Sequence, residues 1–171
     1  EAAIVADARL ALAALRAEIE GRLSEPPKRA RGRDGVAAAK AEKYAVFDAL
    51  ACSDETPIRP ERVIATLQEL LPSDAVIVAD PGTPCPYLSG YYRFLETGRH
   101  FVSNRAHGAL GYSLPGVLGA HIGRPDAKCV AMMGDGAFGF TAGEMETLVR
   151  MKAPVTLIVI SNGVFGWIKA G

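Results

Sequence analysis

Lys128-Cys-Val-Ala-Met-Met-Gly-Asp-Gly136 runs from a short apolar segment straight into a carboxylate held between two glycines. Apolar residues without alternation, over so short a length and closed by glycine, predict a strand buried on both faces, Lys128 to Met133. Downstream, Thr141-Ala-Gly-Glu144 has the form of a capping box. It opens a predicted helix through Met145, Leu148, Val149 and Met151, with Arg150 and Lys152 favourably placed near its C-terminus. Val155 to Ser161 is the next strand. Upstream, Gly108 to Gly123 reads as a small-residue helix that Pro115 kinks or starts, and Ala75 to Ala79 as another buried strand, ending at Asp80 and the turn-forming Pro81-Gly82. Buried strands alternating with helices predict an α/β fold, a doubly wound parallel sheet with helices on both faces. Ligands bind such sheets beyond the carboxyl ends of the strands. Asp80-Pro-Gly-Thr83, Gly134-Asp-Gly136 and Ser161-Asn-Gly163 stand at those ends.

The first part of the chain differs in character. Only 3 of the 18 glycines precede position 80. Ala2 to Leu23 places Ile4, Leu10, Leu12, Leu15, Ile19 and Leu23 at helical spacings among charged residues, an amphipathic helix. Ser24 to Gly35 carries two prolines, two glycines and four basic residues without apolar periodicity and reads as a linker. Helices are predicted from Val36 to about Ala51 and from Pro60, a good first-turn residue, to Leu71.

Composition excludes several classes. Nineteen basic residues balance nineteen acidic ones, so no surplus charge is available to track a nucleic acid. The longest apolar run, Val155 to Ile160, is far short of the roughly 20 residues of a membrane helix. Cys52, Cys85 and Cys129 are odd in number and widely spaced, which fits small apolar packing residues in a reducing cytoplasm.

Asp135 carries the first chemical expectation. A carboxylate between glycines at a strand end can offer oxygen to a cation while bare backbone approaches an anion. Gly-Asp-Gly also forms ordinary tight turns, but 25 residues separate Gly136 from Asn162 at the equivalent end of the next strand. Adjacent parallel strands bring the two together. A carboxylate and an amide oxygen then suit a hard cation of the magnesium kind, completed by phosphate oxygens and water.

These residues, with Gly163-Val-Phe-Gly166 behind Asn162, resemble the signature of thiamine-diphosphate-dependent enzymes. Asn104-Arg-Ala-His-Gly-Ala-Leu-Gly-Tyr-Ser-Leu-Pro-Gly-Val-Leu-Gly-Ala120 and Arg124-Pro-Asp126 are similar to the pyrophosphate-binding domain of the acetolactate synthase and 2-oxoacid decarboxylase branch, from about Thr56 to Gly171. The resemblance implies thiamine diphosphate and Mg²⁺ as cofactors. Asp135, the Asn162 side chain and the Val164 carbonyl would hold the metal; Gly134 belongs to the same motif, and Gly136 and Ala137 would give backbone N–H groups to the diphosphate. Gly82 and Thr83 match the first diphosphate loop, whereas Pro84 and Cys85 replace residues common in acetolactate synthases. Leu110 matches the wedge that bends the cofactor, and Gly108 the carbonyl that meets its aminopyrimidine. His107 is a candidate for facing cofactor or substrate, or a loop histidine with a structural bond. Phe165, Trp167 and Ile168 suit either a substrate channel or packing, and His100 and His121 packing or surface roles.

The implied activity is decarboxylation or carboligation of a 2-oxoacid. In the family the activating Glu lies on the pyrimidine-binding domain of another subunit or chain, in a homodimer or homotetramer, and no match to that domain occurs here. Residues 1–23 resemble the last helix of a preceding central domain, 24–35 a linker, and 36–171 the pyrophosphate-binding domain, truncated at its C-terminus. Two alternatives stay open: a noncatalytic phosphate- or nucleotide-binding module, and an inactive fragment lacking its partner domain.

Overall fold

The computed structural model describes residues 3–23 and 30–170, without the side chains of residues 30, 31, 167 and 170. The chain divides into two compact units, Glu1–Lys43 and Tyr44–Gly171. Within the first, α1 (Ala8–Arg22) starts where Asp7 Oδ1 accepts a hydrogen bond from the Leu10 N–H at 3.1 Å, an ordinary N-cap, and none of its residues is buried. The helix α2 (Ala30–Ala51) begins inside the stretch read as linker, so residues 30–35 are helical; residues 24–29 of that reading lie outside the described ones.

The second unit is built on a parallel four-stranded sheet of β1 (Val76–Ala79), β2 (Phe101–Val102), β3 (Cys129–Gly134) and β4 (Thr156–Ile160), in the order β2-β1-β3-β4. The strands alternate their side chains between two cores. Ile77, Ala79 and Met132 join Phe47 of α2, Ile64 and Leu67 of α3 (Pro60–Leu70), and Cys85 and Leu88 of α4 (Pro84–Tyr91) on one face. Val76, Val78, Cys129, Ala131 and Met133 meet Leu114 and Val117 of α5 (Ser113–Gly123), Ala137 of α6 (Asp135–Thr141) and Leu148 of α7 (Met145–Arg150) on the other. Burial on both faces is why these strands lack a polar alternation. A short helix α8 (Gly166–Ala170) closes the described chain.

Two local expectations are corrected. The 108–123 segment is helical only from Ser113; Gly108 and Gly111, at φ +75° and +88°, break the backbone before it, and Pro115 sits in the first turn, where its missing N–H has no helical acceptor to lose. Thr141 caps no helix. Its hydroxyl donates to the Gly111 carbonyl at 3.0 Å, and a 3₁₀ turn at Ala142–Glu144 separates α6 from α7.

The sheet order places the site. The chain leaves β1 for β2 on one side, then returns to β3 on the other. The helix after β1, α4, packs on one face and the helix after β3, α6, on the opposite face, leaving a crevice between the carboxyl ends of β1 and β3.

Candidate functional site

A cavity of about 530 Å³ opens at this crevice. Gly82, Thr83, Gly108, Leu110, Gly134, Asp135, Gly136, Ala137, Asn162 and Val164 all line it. Loops that end all four strands thus converge, as the parallel order requires. Phe165 and Ile168 line it too, whereas His107 is exposed and is not among the lining residues. His100 is buried, its ring between the carbonyls of Ala75 and Thr97, a packing role. The side chain of Trp167 lies outside the described atoms.

Asp135 reaches from the end of β3 to the end of β4. Its Oδ2 accepts the Gly163 N–H at 2.8 Å and the Ser161 hydroxyl at 3.2 Å, and its Oδ1 accepts the Gly136 N–H at 2.8 Å. The backbone donors of Gly163 and Gly136, with smaller contributions from Ser161 and Asn162, hold the carboxyl below the usual carboxylate range. It is therefore anionic at neutral pH. Asn162 Oδ1 accepts the Val164 N–H at 3.1 Å, so the amide oxygen is fixed in a turn beside the carboxylate. Carboxylate and amide oxygens retain lone pairs beyond these bonds. Among the described residues no group of three or more His, Cys, Asp and Glu gathers to hold a metal. A cation here would draw its remaining ligands from backbone, water or an anionic ligand, as hard Mg²⁺ does. The donor set fits that ion.

Close backbone approach is built in. A Cβ on Gly136 would lie 2.4 Å from Cε1 of Phe165, so the ring is seated directly on the β3–α6 turn. Gly166 comes near both Asn162 and Thr83, joining the loop after β4 to the loop after β1.

Asp80 immediately precedes the loop of Gly82 and Thr83. It is fully buried at the end of β1. Oδ1 accepts the N–H groups of Gly111 and Tyr112 at 2.7 and 3.2 Å, while Oδ2 accepts the Ser113 N–H at 2.8 Å and also its hydroxyl. These donors open α5. Asp80 therefore ties the β1 end to the loop carrying Gly108 and Leu110. From the other side, a Cβ on Gly111 would meet Thr141 Cγ2 at 2.7 Å. The turn that begins this loop is closed by Asn104: its amide donates to the Ala109 carbonyl at 2.9 Å and its own carbonyl accepts the N–H groups of His107 and Gly108.

Sequence reading passed over Arg105, which also lines the cavity. Its position inside a matched family segment was the available signal.

Residues 80–171 match the family described as "Thiamine pyrophosphate enzyme, C-terminal TPP binding domain". Similar proteins include the putative thiamine pyrophosphate-containing protein YdaP of Bacillus subtilis, 30% identical over 67% of this chain and 20% of that protein. A sulfoacetaldehyde acetyltransferase of Roseovarius nubinhibens is 38% identical over 63% of the chain and 18% of its own length, and an acetolactate synthase of Bacillus subtilis 33% identical over 62% and 18%. The chain spans about a fifth of the length of these relatives. With the sheet, the crevice and the converging loops in place, the match over residues 80–171 means that this chain belongs to the thiamine pyrophosphate enzyme family and carries its C-terminal cofactor-binding domain.

Proposed function

We propose that the protein catalyses a thiamine diphosphate- and Mg²⁺-dependent decarboxylation or carboligation of a 2-oxoacid, in the manner of acetolactate synthases, with this chain supplying the diphosphate- and metal-binding half of the site. The observation that carries the reading is the meeting of Asp135 and Asn162 in one crevice, an ionised carboxylate beside an oriented amide oxygen. In this reading Asp135, Asn162 and the Val164 carbonyl hold the cation. Gly136 and Ala137, in the first turn of α6 where N–H groups lack helical acceptors, meet the diphosphate together with Gly82 and Thr83. Leu110 supports the cofactor rings and the Gly108 carbonyl takes a hydrogen bond from the aminopyrimidine. When bound, the cofactor supplies the electron sink for cleaving the bond to carbon dioxide. The chain binds, orients and excludes water. The activating Glu belongs to a pyrimidine-binding domain of another subunit or chain, in a homodimer or homotetramer, and the unpaired cysteines support a reducing cytoplasm. That relatives include an acetolactate synthase and an acetyltransferase supports transfer of a two-carbon acyl unit.

Isothermal titration of the intact protein with thiamine diphosphate, with and without Mg²⁺, tests this. Binding should require Mg²⁺ and weaken by about tenfold or more in Asp135→Ala, the loss of a charged metal ligand. No binding, or binding indifferent to that substitution, overturns the reading, and a preference for ATP overturns it in favour of a phosphate- or nucleotide-binding module.

A further inference from the structure

Among the described residues lining the cavity, Asp135 is the one acid and Arg105 the one basic residue. They approach from opposite sides. Asp135 closes the end of β3 against the end of β4, whereas Arg105 follows β2, at the far edge of the order β2-β1-β3-β4. With strands about 4.8 Å apart, β2 and β3 are separated by about 10 Å and β2 and β4 by about 14 Å. Among the described residues the Asp135 carboxylate does not hold the guanidinium in an ion pair.

Nor does another side chain. Arg59 and Arg150 pair with glutamates, Arg62 donates to the Ala51 carbonyl, Arg93 covers the Tyr44 ring and Arg124 contacts His100, but Arg105 forms no ion pair with any described residue. Its root is nevertheless fixed. Asn104 closes the turn 104–109 through its amide and its carbonyl, and Ser103 Oγ lies 3.3 Å from Cys85 Sγ at the start of α4. A long cationic side chain on a pinned turn, facing a cavity, is arranged for an anion from outside. The planar guanidinium fork matches a carboxylate or sulfonate better than a spherical ion.

We propose that Arg105 forms a separate oxyanion subsite, taking the carboxylate or sulfonate of the substrate rather than the cofactor diphosphate. This rests on the function proposed above, since it assigns the diphosphate to the Asp135 side of the crevice and leaves the β2 side for the substrate.

The test uses the intact protein and its Arg105→Gln and Arg105→Lys variants, each titrated first with Mg²⁺-thiamine diphosphate. The loaded proteins are then titrated with monoanionic methyl acetylphosphonate, a pyruvate mimic, and with its neutral dimethyl ester. Arg105→Gln should lose about tenfold to a hundredfold in affinity for the monoanion, the scale of a lost charge-assisted hydrogen bond. It should bind the neutral ester and the cofactor within about twofold of the parent, and Arg105→Lys should recover part of the loss. Equal monoanion affinity in parent and Gln variant, or no monoanion binding by the loaded parent, overturns the subsite. A cofactor affinity weakened about tenfold in Arg105→Gln reassigns the arginine to the diphosphate and overturns it as well. Failure of the parent to bind cofactor is a different result, and counts against the proposed function itself.

Discussion

Asp80 and Asp135 occupy the same place in two neighbouring strands, the first residue past β1 and the first past β3, and they serve opposite ends. Asp80 is fully buried and its two oxygens are taken by four donors from residues 111–113. Asp135 is half-buried, bonded along the rim of the cavity and still open to a ligand. Topology brings a carboxylate to a strand end; the surroundings decide whether it becomes a structural tie or a binding group. Where backbone donors converge from inside the protein, the acid is used up in the fold.

That contrast breaks first at Asp80. Asp80→Ala strands the N–H groups of Gly111 and Ser113 in a buried setting, and at about 1–3 kcal/mol for each such donor the loss should reach about 3 kcal/mol or more by chemical denaturation. A smaller loss than that of Asp135→Ala would reverse the comparison. Gly111→Ala attacks the same tie from the other side, forcing a side chain into φ +88° and against Thr141; it should cost about 2 kcal/mol by the same measurement. Asp135→Ala, in contrast, should cost less stability than Asp80→Ala while weakening Mg²⁺-dependent cofactor binding about tenfold or more. Gly136→Ala is milder. The new methyl group displaces the exposed Phe165 ring rather than backbone, so stability should move by less than about 1 kcal/mol, the helix preference of Ala over Gly offsetting the contact, while cofactor affinity falls severalfold. The smallest effect is on pH. Because the folded Asp135 carboxyl lies below its unfolded value of about 3.9, its contribution to stability is present above that pH and fades as pH falls through the folded value. Mg²⁺ binding should accordingly be flat from neutrality down to about pH 5; a decline centred nearer pH 6 would show that another group controls the metal.

The strands that hold these acids were readable because both faces of Val76–Ala79 and Cys129–Gly134 are buried, leaving an uninterrupted apolar run. The cavity was legible through Gly82, Asp135 and Asn162 because they stand at the ends of strands that a parallel sheet brings together. The helix α4 was not. Pro84-Cys-Pro-Tyr-Leu-Ser-Gly-Tyr91 has poor helix propensity, and it forms because both prolines fall in the first turn while Cys85 and Leu88 are buried against the sheet. Residues Phe101–Val102 make too short a strand to leave a pattern. Thr141 looked like a cap since Glu144 follows at the right spacing, yet its hydroxyl found the Gly111 carbonyl, 30 residues away. The bonds of Asp80 were hidden for the same reason: Asp-Pro-Gly is a local turn signal, and nothing local reveals donors 31 to 33 residues downstream. Contacts at such separations belong to the tertiary fold, which periodicity does not encode.

The position of β4 has a consequence for handling the chain by itself. In the sheet of the described residues it is an outer strand, and Val155-Thr-Leu-Ile-Val-Ile160 contains no charge, no proline and no glycine, with Val159 41% exposed. Such an uncharged margin, with no strand paired to its outer side among the described residues, is a template for cross-β association. Chains of these 171 residues alone should aggregate through that margin in a concentration-dependent way, and a lysine at Val159, which faces outward, should raise the concentration at which they do so.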